Sequence, residues 1–129
     1  MTGVQTCALP ILVVMTVSSI SVSGQGWEIP KQSPGLKPDV QAGKSLFNNH
    51  CAVCHGSDLK GTAKGPPFLH RIYLSSHHSD MAFQIAAKSG VRSHHWQFGD
   101  MPPIPLVTPD SVAHIIAYIR REQQKAVIE

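Results

Sequence analysis

Apolar positions recur at helical spacing in two stretches of this chain, with a shorter and less regular patch between them. Val40, Gly43, Leu46, Phe47 and His50 fall on one side of a helix that Pro38-Asp39 opens. Asp39 is the natural cap for its exposed N–H groups. A glycine on that face weakens a helix unless another backbone must come close. Gly43 and Phe47 are therefore expected at a helix crossing. The second stretch starts at Thr108-Pro109-Asp110, which supplies a capping hydroxyl, a proline at the first helical position and an early acid. It runs to about Gln124, with Val112, Ile115, Ile116 and Ile119 as the inner stripe. Tyr118 stands beside that stripe as a partner for Gly43 and Phe47. Arg120, Arg121 and Lys125 lie in the final turns, where the helix dipole favours cations. In the middle, Ser79 is expected to cap a short helix through Lys88. Met81, Phe83, Ile85 and Ala86 form its apolar surface, and Gly90 stops it.

The breaks set the domain limits. Residues 1–27 hold no Lys, Arg, Asp or Glu, and the apolar run Ala8 to Val17 is followed by small polar residues. Residues 1–26 read as an export leader, with Ser21-Val22-Ser23 before a cleavage point near Gly24. An uncleaved anchor or a disordered leader are the alternatives. The basic start of such a leader is missing. Met1 to Ile11 reads as translated sequencing adapter, which would make Cys7 an artefact. Residues 27–37 read as an extended arm, and 38–126 as one domain. Gly56 to Gly65 is a polar loop. Residues 91–107, punctuated by Gly99 and three prolines, cannot be a long regular element.

Candidate chemistry centres on Cys51-Ala52-Val53-Cys54-His55. C-x-x-C-H is the attachment pattern of a c-type haem: two thiols add to the porphyrin vinyl groups, and the adjacent histidine binds the iron. A zinc site fails for want of a second cysteine pair, and a redox dithiol for want of alternating strands and helices. The Gly65-Pro66-Pro67-Phe68 loop fixes an extended path with free carbonyls. One of these carbonyls is placed to take the Nδ1 proton of His55, and Phe68 or Leu69 to pack on the ring. Met101, in a non-helical loop just before Pro102-Pro103, is the choice for the second axial ligand. Met81 is the rival, read as a core residue, and His94 or His95 follow. Trp96 and Phe98 are expected to cover the haem or the loop before Met101. The pairs His77-His78 and His94-His95 are read as solvated or backbone-bonded, one of each pair facing water. A copper or zinc site built from them is the alternative. His50 and His114 read as hydrogen-bonded packing residues, and the sequence assigns no role to His70.

With 129 residues, 11 basic and 8 acidic, the chain is long enough for one domain, and its scattered charge gives no case for nucleic acid. These motifs together resemble the class I cytochromes c over roughly residues 38–126: the helix with Gly43 and Phe47, Cys51 to Gly56, Gly65-Pro66-Pro67, Gly99-Asp100-Met101-Pro102-Pro103 and a last helix with Tyr118. The resemblance implies an all-α cytochrome c fold, three to five short helices wrapped round one covalent haem c. It also implies low-spin iron held by His55 and Met101 and a haem linked through Cys51 and Cys54; Pro66, Phe68 and Trp96 join the cofactor-binding residues on the reading of their own loops. The function implied is one-electron transfer without substrate chemistry of its own, and the leader and the haem motif both point to the periplasm or another exported compartment. Partners would be redox proteins such as a membrane cytochrome complex, an oxidase or a dehydrogenase, met by a monomer or weak dimer. The alternatives are a haem module receiving electrons for a reductase or oxidase, and a haem protein with an added copper or zinc role. The paired histidines depart from the family pattern.

Overall fold

The computed structural model describes residues 28–128, so the leader expected over 1–26, with Cys7, lies outside the described residues. Among those residues the chain forms four α-helices: α1 (Val40–His50), α2 (Ala52–His55), α3 (Asp80–Ser89) and α4 (Pro109–Lys125). A single 3-10 turn, Arg71–Tyr73, adds to them. β pairing among the described residues is confined to two isolated bridges, Thr62 with Gly65 and Val91 with Met101. The fold is all-α. No helix among the described residues is long and apolar enough to cross a membrane.

α1 and α4 supply the main helix packing. Asp39 caps α1 by accepting from the Ala42 N–H at 2.7 Å. Its own N–H donates to Nδ1 of His114 on α4 at 2.7 Å, so the two helices are tied at the start of α1. One turn on, Gly43 meets α4 backbone directly: a Cβ there would stand 1.9 Å from the His114 carbonyl oxygen. That approach lets Phe47 become fully buried, its ring 5.6 Å from that of Tyr118 and 6.0 Å from that of Phe68. Burying such a side chain contributes about 2–3 kcal/mol. Leu59, Ile115 and Ile119 complete the cluster.

α4 begins as its sequence requires, with Thr108 Oγ1 accepting from the Ser111 N–H at 3.2 Å and proline in the first turn. Val112, Ile115, Ile116, Tyr118 and Ile119 are all buried. Arg120 departs from expectation. Its guanidinium turns inward to the carbonyls of Tyr73 and His78, both at 2.6 Å, instead of serving the helix end. Gln123, also buried, donates to the carbonyls of Phe68 (2.9 Å) and Tyr73 (3.0 Å).

α3 corrects two expectations. Ser79 precedes it but makes no side-chain capping bond. Met81, read as core, is 42% exposed, and Gln84 is the buried residue of the helix. The helix is rotated by its polar ties: Gln84 Nε2 donates to the Pro109 carbonyl at 2.8 Å, and Asp80 meets Arg120 at 2.9 Å. Residues 28–37 contain no helix or strand. They turn at Pro34-Gly35, and Ser33 donates from its N–H and its hydroxyl to the Asp110 carboxylate at 2.6 and 2.7 Å.

Candidate functional site

Cys51, Cys54 and His55 occupy the single turn of α2 and the residue before it. α2 follows α1 after one residue, and Cys51 is the C-cap of α1, its N–H bonded to the Phe47 carbonyl. The packed crossing of α1 with α4 thus sets the position of the motif. Beyond it the chain must reverse, and Gly56 (φ +77°) and Gly61 (φ +79°) supply the left-handed backbone. Gly65 then lies against Cys54, where a Cβ would stand 2.8 Å from the Cys54 carbonyl oxygen. Thr62 Oγ1 donates to that same oxygen at 2.6 Å.

This loop brings Pro66 to His55. The Pro66 carbonyl lies 2.9 Å from His55 Nδ1, and a carbonyl only accepts, so Nδ1 carries the proton. Nε2 is left with its lone pair, the state a metal ligand needs. The imidazole is 7% exposed and stacks on Phe68, with centroids 4.2 Å apart. Burial pushes its pKa below the ordinary histidine range, against a smaller upward pull from Pro66, so the ring is neutral at pH 7. Burial, with the neighbouring Cys54 behind it, pushes the Cys51 thiol up to about 11. The two cysteines form no disulfide.

Met101 lies half-buried in the 91–107 loop and is held by its backbone. Its N–H and carbonyl pair with Val91 at 2.9 Å each. The end of α3 presses on it: a Cβ at Gly90 would meet the Met101 carbonyl oxygen at 2.4 Å and Pro103 Cδ at 3.1 Å. Ile104 N–H donates to the Ala87 carbonyl at 2.8 Å, closing the anchor on the other side. Met81 instead shares a surface cleft with Ala113, Ile116 and Ala117 of α4 and with residues 30–32.

Trp96 packs edge-on to His70 (4.9 Å) and against Phe98 (6.2 Å). Its Nε1 is closed off from solvent and makes no hydrogen bond of full geometry among the described residues, although the Tyr73 hydroxyl lies towards it. A buried N–H so placed calls for an acceptor. His70, unassigned from sequence, caps the 3-10 turn by accepting from Ile72 N–H at 3.3 Å. His114 is the hydrogen-bonded packing residue expected of it.

The donor set fits a haem c. Two thiols three residues apart stand beside a neutral, oriented imidazole. A thioether is available on a separately anchored loop, and the buried indole N–H could meet a porphyrin carboxylate. Cys51 and Cys54 would hold the macrocycle, and His55 and Met101 would ligate the iron. Sequence reasoning missed Arg120 and Gln123, which position Phe68 and the segment after it. A cation late in a helix reads as a dipole partner, and only the course of residues 68–78 reveals the carbonyls it serves.

The cytochrome c family model matches residues 40–122. The chain belongs to the cytochrome c family, whose cofactor is a single, covalently bound haem c. It is 42% identical over 62 residues to the Cbb3-type cytochrome c oxidase subunit FixPc of Rhizobium leguminosarum bv. viciae, a match covering 45% of this chain and 21% of that protein. It is 28% identical over 96 residues to the Cbb3-type cytochrome c oxidase subunit CcoP of Rubrivivax gelatinosus, covering 70% of this chain and 29% of that one. The chain thus spans less than a third of the length of either relative. Among solved structures it is similar to cytochrome cL from Hyphomicrobium denitrificans, with a TM-score of 0.46 and 20% identity over 63% of this chain and 45% of that one.

Proposed function

We propose that this chain is a single-electron carrier whose iron is held by His55 and Met101 and keeps both ligands in each oxidation state. The haem supplies a reversible ferrous–ferric couple, with the thioether favouring the reduced form over a second imidazole. The observation that carries the reading is that both proposed ligand residues are fixed from behind. His55 is bonded to the Pro66 carbonyl at 2.9 Å and stacked on Phe68. Met101 is paired on both backbone groups with Val91. Ligands held this way move little when charge changes, which suits electron transfer and opposes an open coordination position for oxygen or peroxide.

Partner docking would use the surface around the motif. Val53, between the two cysteines, is 71% exposed and apolar. Lys44, Lys60 and Lys64 are exposed, whereas Lys88 is engaged by Glu28 at 3.3 Å. A small apolar contact with scattered cations suits a weak, short-lived complex with an acidic redox protein. The partner would be a membrane oxidase, cytochrome complex or dehydrogenase in an exported compartment. A second reading, a haem module inside a terminal oxidase assembly, is favoured by the oxidase subunits named above, of which this chain matches only a part. Voltammetry of the haem-loaded protein tests the carrier reading. A reversible one-electron wave, unchanged by oxygen, peroxide or nitrite, is expected. A catalytic current with any of the three would overturn it.

A further inference from the structure

His77, His78 and His95 come together although they stand on different segments. One nitrogen of each lies within 4.8 Å of the others. His77 faces solvent and His78 is half-buried and backbone-bonded, as the sequence suggests, but their rings stay close because they sit on a turn and not an extended strand. Both of their N–H groups donate to the Leu74 carbonyl at 2.9 Å, and their rings lie 5.0 Å apart. The turn is itself held by Arg120, which donates to the His78 carbonyl. Opposite it, Ser93 N–H donates to Asp100 at 2.8 Å, and the resulting bend carries His95 towards the turn.

The ring nitrogens are close enough to turn to one ion. His78 Nδ1 donates to the Ile72 carbonyl at 2.6 Å, which fixes its ring and leaves Nε2 with the lone pair. His77 Nε2 and His95 Nε2 are hydrogen-bonded to each other at 3.1 Å, a contact in which a cation would replace the shared proton. Two imidazole nitrogens bound at ordinary metal distances stand about 2.9 Å apart in a square-planar site and about 3.3 Å apart in a tetrahedral one. The observed separation falls between the two. His94, whose Nδ1 donates to the Arg92 carbonyl, lies beside the group without joining it.

We infer that His77, His78 and His95 form a three-imidazole site for a late first-row divalent cation, open to solvent at its remaining position and joining the 71–78 turn to the loop that bears Met101. Imidazole donors suit zinc and copper, with copper(II) the tighter. The pairing of residues 91 and 101 already holds the base of the Met101 loop, so an ion bound at His95 would anchor its tip as well. The site needs no electron-transfer role to exist.

The test uses untagged, haem-loaded ferric protein titrated separately with Zn²⁺ and Cu²⁺ by calorimetry, with paramagnetic resonance of the copper form. One equivalent of each is expected, with nitrogen couplings on the copper. His77→Ala and His95→Ala, both exposed positions, should each weaken binding at least about tenfold. His94→Ala should leave binding within about twofold. The haem absorption spectrum should stay unchanged in all three variants. Failure of the wild type to take up either ion, binding indifferent to His77 and His95, or a changed haem spectrum in His95→Ala would each overturn the site. The first two outcomes leave the carrier reading intact, and the third would contradict both.

Discussion

Gly43 and the His114 carbonyl are in closest approach at the crossing of α1 and α4, where no side chain larger than hydrogen fits: a Cβ would stand 1.9 Å from the oxygen. The neighbour is backbone and cannot swing aside. Gly43→Ala should therefore push the helices apart, loosening Phe47 and Tyr118 and, through the end of α1, the cysteine turn. We expect a loss of about 3 kcal/mol in denaturant unfolding of the haem-loaded protein. A change under about 0.5 kcal/mol would show that the crossing is not tight.

Phe68 connects the core to the imidazole. It stacks on His55 at 4.2 Å and also meets Phe47, Tyr73 and Phe83. Phe68→Ala should cost about 3–5 kcal/mol through the void it leaves, whereas Phe68→Leu should cost under about 1.5 kcal/mol. The potential of the alanine variant should also shift, because His55 would lose its packing while keeping the Pro66 bond. Equal stability of the two variants would contradict this role.

Arg120 should matter more than its ion pair suggests. Asp80 is two-thirds exposed, so Asp80→Asn should cost under about 1 kcal/mol. Arg120→Ala leaves the His78 carbonyl without its donor and the Tyr73 carbonyl with Gln123 alone, and should cost about 3 kcal/mol. Arg120→Lys should rescue little of it, since an ammonium cannot span the same fork of partners. Full recovery with lysine in a thermal or denaturant melt would show that charge alone acts.

The helices at each end, the haem motif and the Gly43 crossing were legible because each is a local pattern: a cap, a period or a fixed spacing. The inward turn of Arg120, the outward face of Met81 and the meeting of His77 and His78 with His95 were not. The first and the last depend on how residues 68–78 run between α2 and α3, a stretch whose sequence carries no strong period, and the second on the ties of α3 to α4. Gln84 shows the same limit. An uncharged polar side chain at a buried position is explained only by the Pro109 carbonyl it reaches.

The arm provides a pH test. Hydrogen bonds from Ser33, first from its hydroxyl and then from its N–H, hold the Asp110 carboxyl below the usual 3.8, with a weaker contribution from His114. A depressed acid stabilises the fold fully above its unfolded value, and that contribution disappears as pH falls through the lower folded value. Ser33→Ala should raise the Asp110 pKa towards its ordinary value and narrow the stability difference from wild type as the solution is acidified below about pH 4. Carboxyl titration followed by NMR checks this. An unchanged Asp110 value in the variant would remove the Ser33 hydroxyl as the cause.

The iron's ligation is tested most directly by the ferric optical spectrum of wild type beside Met101→Ala. With His55 and Met101 as ligands, the wild type is expected to be six-coordinate and low-spin with the weak sulfur-to-iron charge-transfer band, absent from the variant while the cysteine-linked haem remains. A band that survives the substitution, or a high-spin wild type that binds carbon monoxide readily once reduced, would contradict it.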